Sequence, residues 1–138
     1  MKDGLREQRT LLLLTIVYAA ASLLHFAHNA VFLRDYPNLP SWLTAAGVWA
    51  AWFGITAVGA VGYVVYRHFS RVAGLIILAG YALLGFAGLD HYAVVPISAH
   101  TIVMNTTIIA ECTAAVALLI HVVHSGVRSR RPSTEASA

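Results

Sequence analysis

The sequence predicts an all-α integral membrane protein, a four-helix bundle with both termini on the cytoplasmic side. Three observations carry this expectation. The 138 residues are 59% hydrophobic and 11% charged, whereas a soluble domain averages about 25% charged residues. The apolar residues fall into four runs, each close to the roughly 20 residues that cross a hydrocarbon core. The basic residues flank those runs on one side only. Lys2, Arg6 and Arg9 precede the first run, Arg67 and Arg71 separate the second and third, and Arg128, Arg130 and Arg131 follow the fourth. Arg34 alone lies elsewhere, beside Asp35. An excess of Lys and Arg marks the cytoplasmic side.

The first run covers residues 11–33. Its start, with a basic flank and Ala19-Ala20-Ala21, has the pattern of a cleavable signal peptide. The apolar stretch continues past those alanines, so a retained span is expected. Residues 34–40 make a tight connection in which Pro37-Asn38 is a turn signal and Ser41 is placed to cap the next helix. The second run covers residues 42–66, the third 72–89 and the fourth 97–123. Residues 1–124 thus form a single four-span domain, and residues 125–138 a basic cytoplasmic tail, Ser- and Arg-rich and expected to be disordered. Tyr36, Trp42 and Tyr92 are expected at the outer interface, and Tyr63, Tyr66 and Phe69 at the inner one. Glycines on the second and third runs favour close helix packing. The localisation implied is a multi-pass protein of a bacterial-type inner (plasma) membrane, with the lipid bilayer as its main partner. The basic clusters border spans and suit anionic lipid, so no nucleic-acid partner is expected. Cys112 is the only cysteine, which excludes an intramolecular disulfide.

Chemistry is concentrated on the first and fourth runs. Helical residues advance about 100° each. On the first, Thr15, Tyr18, Ser22, His25 and Asn29 share an arc, with His28 beside it. On the fourth, His100, Met104, Thr107 and Glu111 share a face at spacings i, i+4, i+7 and i+11. In lipid such faces turn inward, because an exposed carboxylate is costly there. At about 1.5 Å per residue, Glu111 sits mid-membrane and His25 roughly 5 Å further out. His28 and His100 lie beyond, and Asp90 and His91 join them at the end of the third run. His68, His121 and His124 belong to the cytoplasmic side.

The expected site is therefore a metal centre between the outer halves of the first, third and fourth helices. Its candidate ligands are His25, His28, Asp90, His91, His100 and Glu111. Imidazole with carboxylate suits a transition metal such as zinc, iron or copper. The axial spread from Glu111 to His100, roughly 16 Å, is too long for one mononuclear centre. A subset is expected to bind: His28 with His100 and Asp90 or His91, or else His25 with Glu111. A membrane-embedded enzyme acting on an apolar or lipid substrate would use Glu111 and His25 as its catalytic groups. The alternatives are a proton or metal-ion transporter, working as a homo-oligomer, and a haem protein with His25 or His28 and His100 as axial ligands. A metal-free acid–base lipid enzyme and a non-catalytic accessory subunit complete them. No phosphate-binding loop, dinucleotide fingerprint, zinc-protease motif or nucleophile elbow is present.

Overall fold

The structure, a computed structural model, describes residues 2–36 and 38–128. Helix α1 runs Lys2–Val31 and α2 Ala45–His68. Helix α3, Arg71–Leu84, passes through a 3-10 segment, Gly85–Leu89, into the short α4, Asp90–Val94. After a 3-10 turn at Ile97–Ala99, α5 runs Ile102–Arg128. Four stretches are long and apolar enough to cross a membrane: Gly4–Val31, Ala45–His68, Arg71–Val94 and Ile102–Arg128. The all-α four-helix bundle is thus the fold, and there is no strand among the described residues.

Several boundaries differ from those expected, each for a local reason. Ser41 does not cap α2. Leu43 N donates to Pro40 O at 3.0 Å, closing a turn that holds Ser41 and Trp42 outside the helix. Thr44 is the cap, its Oγ1 accepting from Gly47 N at 3.1 Å. Asn38 adopts φ of 57°, the left-handed region that Asn tolerates; Pro37 lies outside the described residues. The third span continues to Val94 because its 3-10 segment keeps the backbone winding past Leu89. The fourth begins five residues late. Pro96 and the turn after it leave His100 in extended backbone, φ −98° and ψ 148°, and Thr101 Oγ1 accepts from Met104 N at 3.2 Å to start α5. At the other end Ser125–Arg128 prolong α5, in place of the expected tail. Residues 129–138 lie outside the described residues.

Helix α1 packs on α2 and α5, and α3 packs on the same two, the square arrangement of an up-down-up-down bundle. Its core includes Leu11, Tyr18, Leu75, Leu78, Tyr81 and Leu118. Large apolar side chains such as Leu13, Ile16, Leu24, Ile76 and Ile120 point outward, which suits a lipid surface and not an aqueous one. Glycines set the closest approach. A Cβ at Gly74 would lie 2.3 Å from both N and Cα of Tyr66, so the α2 and α3 backbones touch there. At the basic end Arg71 Nη2 donates to Glu7 Oε1 at 2.7 Å and to Ser125 O at 3.3 Å. Tyr66 OH donates to the same carboxylate oxygen at 3.3 Å. The start of α1 is thereby tied to α2, α3 and α5.

Of the aromatic residues expected at the two interfaces, Trp42 and Phe69 are exposed, and Tyr36 and Tyr66 are buried against polar partners, His28 and Glu7.

Candidate functional site: a buried histidine–carboxylate pair

The polar stripes of α1 and α5 meet inside the bundle. His25 and Glu111, each 2% exposed, are joined through His25 Nδ1 and Glu111 Oε2. The other imidazole nitrogen, Nε2, lies 3.1 Å from Asn29 Nδ2, one turn further along α1. An amide nitrogen only donates. His25 Nε2 must then be the acceptor, and the ring proton sits on Nδ1, donated to the carboxylate. Both nitrogens of a neutral imidazole are thus engaged, while Asn29 Oδ1 is buried with no hydrogen-bond partner.

The pair is covered by the third span. A Cβ at Gly88 would come within 3.2 Å of His25 Cε1, 3.5 Å of His25 Nδ1 and 3.6 Å of Glu111 Oε2. At Gly85, one 3-10 turn earlier, a Cβ would meet Tyr18 Oη at 2.8 Å and Ala115 Cβ at 2.6 Å. A side chain at Gly85 would force α1 or α5 to shift, and one at Gly88 would press on the His25 ring.

From the pair towards the loop end runs a file of rings. The His25 and His91 centroids are 5.6 Å apart, and His91 lies 6.0 Å from His100 and 5.0 Å from Tyr36. Tyr36 Oη is 2.8 Å from His28 Nδ1. His100 stacks edge-on with Tyr92 at 5.4 Å, and Tyr92 Oη donates to Asn105 Oδ1 at 2.9 Å. His100 Nδ1 lies 3.3 Å from the Pro96 carbonyl, to which it donates, and its Nε2 is buried and unpartnered. Burial pushes the Tyr36 phenol up to about 12, so it stays a neutral donor beside His28.

Towards the basic end the polar groups thin out. Tyr18 Oη, Ser22 Oγ and Tyr81 Oη are buried without a hydrogen-bond partner, and the two tyrosine rings lie 4.4 Å apart. Thr15 donates to the Leu11 carbonyl of its own helix at 2.8 Å. Leu11, Leu78 and Leu118 are fully buried and belong to the apolar core on this side of the pair.

The six candidate residues are thus brought together unevenly. His25 and Glu111 are in contact, His91 stands beside His25, and His100 stands beside His91. His28 faces Tyr36 and Phe32 instead of the pair. Asp90 is exposed on α4. His100 arrives by a different route from that expected, since it lies outside α5 and its loop turns the ring back inward. Among the described residues, no group of three or more His, Cys, Asp or Glu side chains is placed to hold a metal ion. Asn29, expected on the α1 stripe, is a site member through its contact with His25. Tyr36 was not expected in the site, since it lies in a loop and carries no periodic signal. Compared with protein-family models, with known proteins and with solved structures, the chain matches none.

Proposed function

We propose that this protein performs acid–base chemistry inside the membrane, with His25–Glu111 as a proton-exchange site reached from the loop end. The observation that carries this is the pairing of an imidazole and a carboxylate at near-zero exposure, on facing helices, next to a file of further imidazoles and phenols. An ionisable pair in the hydrocarbon region is costly to keep, and proton transfer is the chemistry these two groups share.

Asn29 gives the pair a second protonation state. While His25 is neutral, Asn29 Nδ2 donates to Nε2. When Nε2 takes a proton, rotation of the amide by half a turn presents Oδ1, the atom otherwise lacking a partner, as the acceptor. The amide thereby serves both states, and Glu111 remains hydrogen-bonded on the other nitrogen. The rings of His91, His100, Tyr36 and His28 connect this site to the end of the bundle that carries the α1–α2 loop. The apolar core that includes Leu11, Leu78 and Leu118 lies between it and the basic end. Access from one side favours an acid–base site over a through-going channel. With both termini cytoplasmic, as the basic flanks require, that open side is the outer one. The substrate class proposed is an apolar or lipid molecule, reached from the same end.

The test is infrared difference spectroscopy on the protein in oriented liposomes. The carboxyl band assigned by Glu111→Gln should respond to a pH step on the loop side. It should stay silent for the same step on the basic side while both faces are sealed. A band that never responds between about pH 4 and about pH 9, a range that spans ordinary carboxylate and imidazole titration, would overturn the proposal.

A second reading, a transition-metal centre of zinc, iron or copper, is favoured by one observation. His100 holds its Nδ1–H on a backbone carbonyl and leaves Nε2 bare, the arrangement in which histidine ligates. His91 is its nearest imidazole neighbour. Metal content of the purified protein, with and without His91→Ala and His100→Ala, decides between the two readings.

A further inference from the structure

A cleft of about 430 Å³ opens at the basic end between the first turns of α1 and the last turns of α5. We propose that it binds the phosphate of an anionic lipid headgroup. Its lining is Arg6, Glu7, Thr10, His121, His124, Ser125 and Arg128. The one carboxylate is already committed, since Glu7 accepts from Arg71 and Tyr66. Arg6 and Arg128 have no ion-pair partner among the described residues. His121 Nε2 is buried in the bundle without a hydrogen-bond partner. The cleft therefore offers two guanidinium groups, two imidazoles and a threonine hydroxyl to an anion. Guanidinium forks match phosphate oxygens in pairs.

The depth fits a headgroup better than a soluble anion. Arg6 and Thr10 lie in the first turns of the Gly4–Val31 span, and His124 and Arg128 in the last turns of the Ile102–Arg128 span. Ile120, one helical turn before His124 on α5, is more than half exposed, and gives an acyl chain an apolar surface on which to lie. Basic pockets between spans on the cytoplasmic side are the places where anionic headgroups are held. The site is at the opposite end of the bundle from His25 and Glu111 and does not depend on their role.

The full chain is exchanged into micelles holding equal amounts of phosphatidylcholine and phosphatidylglycerol with the same acyl chains, and retained lipid is read by native mass spectrometry. Phosphatidylglycerol should be enriched, and each of Arg6→Gln and Arg128→Gln should lower the enrichment about fivefold. Arg9→Gln removes an exposed charge from the same end of α1 but outside the cleft, and should leave the enrichment unchanged. If the arginine variants fail to fold by circular dichroism, His121→Ala, which removes the unpartnered nitrogen, should still lower it. Equal retention of the two lipids overturns the proposal. So does an Arg9→Gln loss as large as that of Arg6→Gln, which would mean diffuse surface charge. Saturation by inorganic phosphate without retention of either lipid also overturns it, by making the ligand a soluble anion.

Discussion

Replacing Glu111 by Leu removes the acceptor of His25 Nδ1–H but leaves the imidazole where it is. His25 is 2% exposed and sits under Gly88, so no water replaces the lost acceptor, and the stranded donor costs about 1–3 kcal/mol. The apolar replacement therefore does not spare the fold as fully as the carboxylate alone would imply. The reciprocal change, His25→Leu, strands the carboxylate and the Asn29 amide together. Leaving a buried carboxylate without its partner costs about 3–5 kcal/mol. Changing both residues to Leu leaves only Asn29 facing an apolar surface, at a cost of about 1–2 kcal/mol. The double variant should thus be more stable than the sum of the single changes implies, by about 2 kcal/mol or more.

The measurement is a double-mutant cycle in mixed micelles, unfolding with a denaturing detergent. Trp42, Trp49 and Trp52 supply the fluorescence and circular dichroism the helicity. Interhelical hydrogen bonds in membrane proteins average only about 0.6 kcal/mol by such cycles. A coupling at or below that value would refute the argument, because the pair would then be an ordinary contact and not a fully desolvated one. A coupling of about 2 kcal/mol or more with Glu111→Gln retaining most of it would separate shape from charge, since a glutamine oxygen still accepts from Nδ1.

Three further outcomes are expected. Gly74→Ala should destabilise the bundle by several kcal/mol, on the order of an overpacked core site, because its Cβ would lie 2.3 Å from backbone atoms of Tyr66; Gly80→Ala, with nothing within 4 Å, should be neutral or slightly stabilising in the same detergent titration. The Tyr36 phenol, raised to about 12, binds its proton more tightly folded than unfolded, so its contribution to stability is complete below about pH 10 and is lost as pH rises through 12; Tyr36→Phe should flatten that alkaline fall in stability. Single cysteines placed at Gly4 and at Asn38, in a Cys112→Ala background, should label from opposite sides of intact cells, and labelling from one side would sink the both-termini-inside topology.

The bundle and its polar stripes were legible because spacing and depth are carried directly by residue number. His25 and Glu111 share a level because one helix runs up and the other down, and that needs only four spans and a rise per residue. The position of His100 was not legible in the same way. Extending the fourth helix back to Ile97 placed its ring on the α5 stripe. The competing signal was in the sequence: Thr101 three residues before Met104 is a capping pattern. Tyr36 was assigned to the membrane interface because tyrosines outside spans usually lie there. A loop's return path into the bundle has no period, so its contact with His28 could only come from the fold. Asn29 was seen on the right face, but the identity of its partner depended on a rotamer.

The 3-10 segment of the third span explains why the ring file and the buried pair join. Side chains three residues apart eclipse one another in a 3-10 helix, whereas in an α-helix they are offset by about 60°. Gly85 and Gly88 therefore lie in line and present a strip without side chains, against which Tyr18 and His25 of α1 fit at contact distance. His91 is the next residue at the same interval. It is the first of that line to carry a large side chain, and its ring stands 5.6 Å from that of His25. A regular α-helix through residues 85–91 would turn Gly88 and His91 progressively away from α1. The glycine strip would no longer cover the pair, and His91 would no longer connect it to His100 and Tyr36. The local change of helix type thus does two things at once: it lets three spans close over His25 and Glu111, and it aims the one imidazole that links them to the loop end.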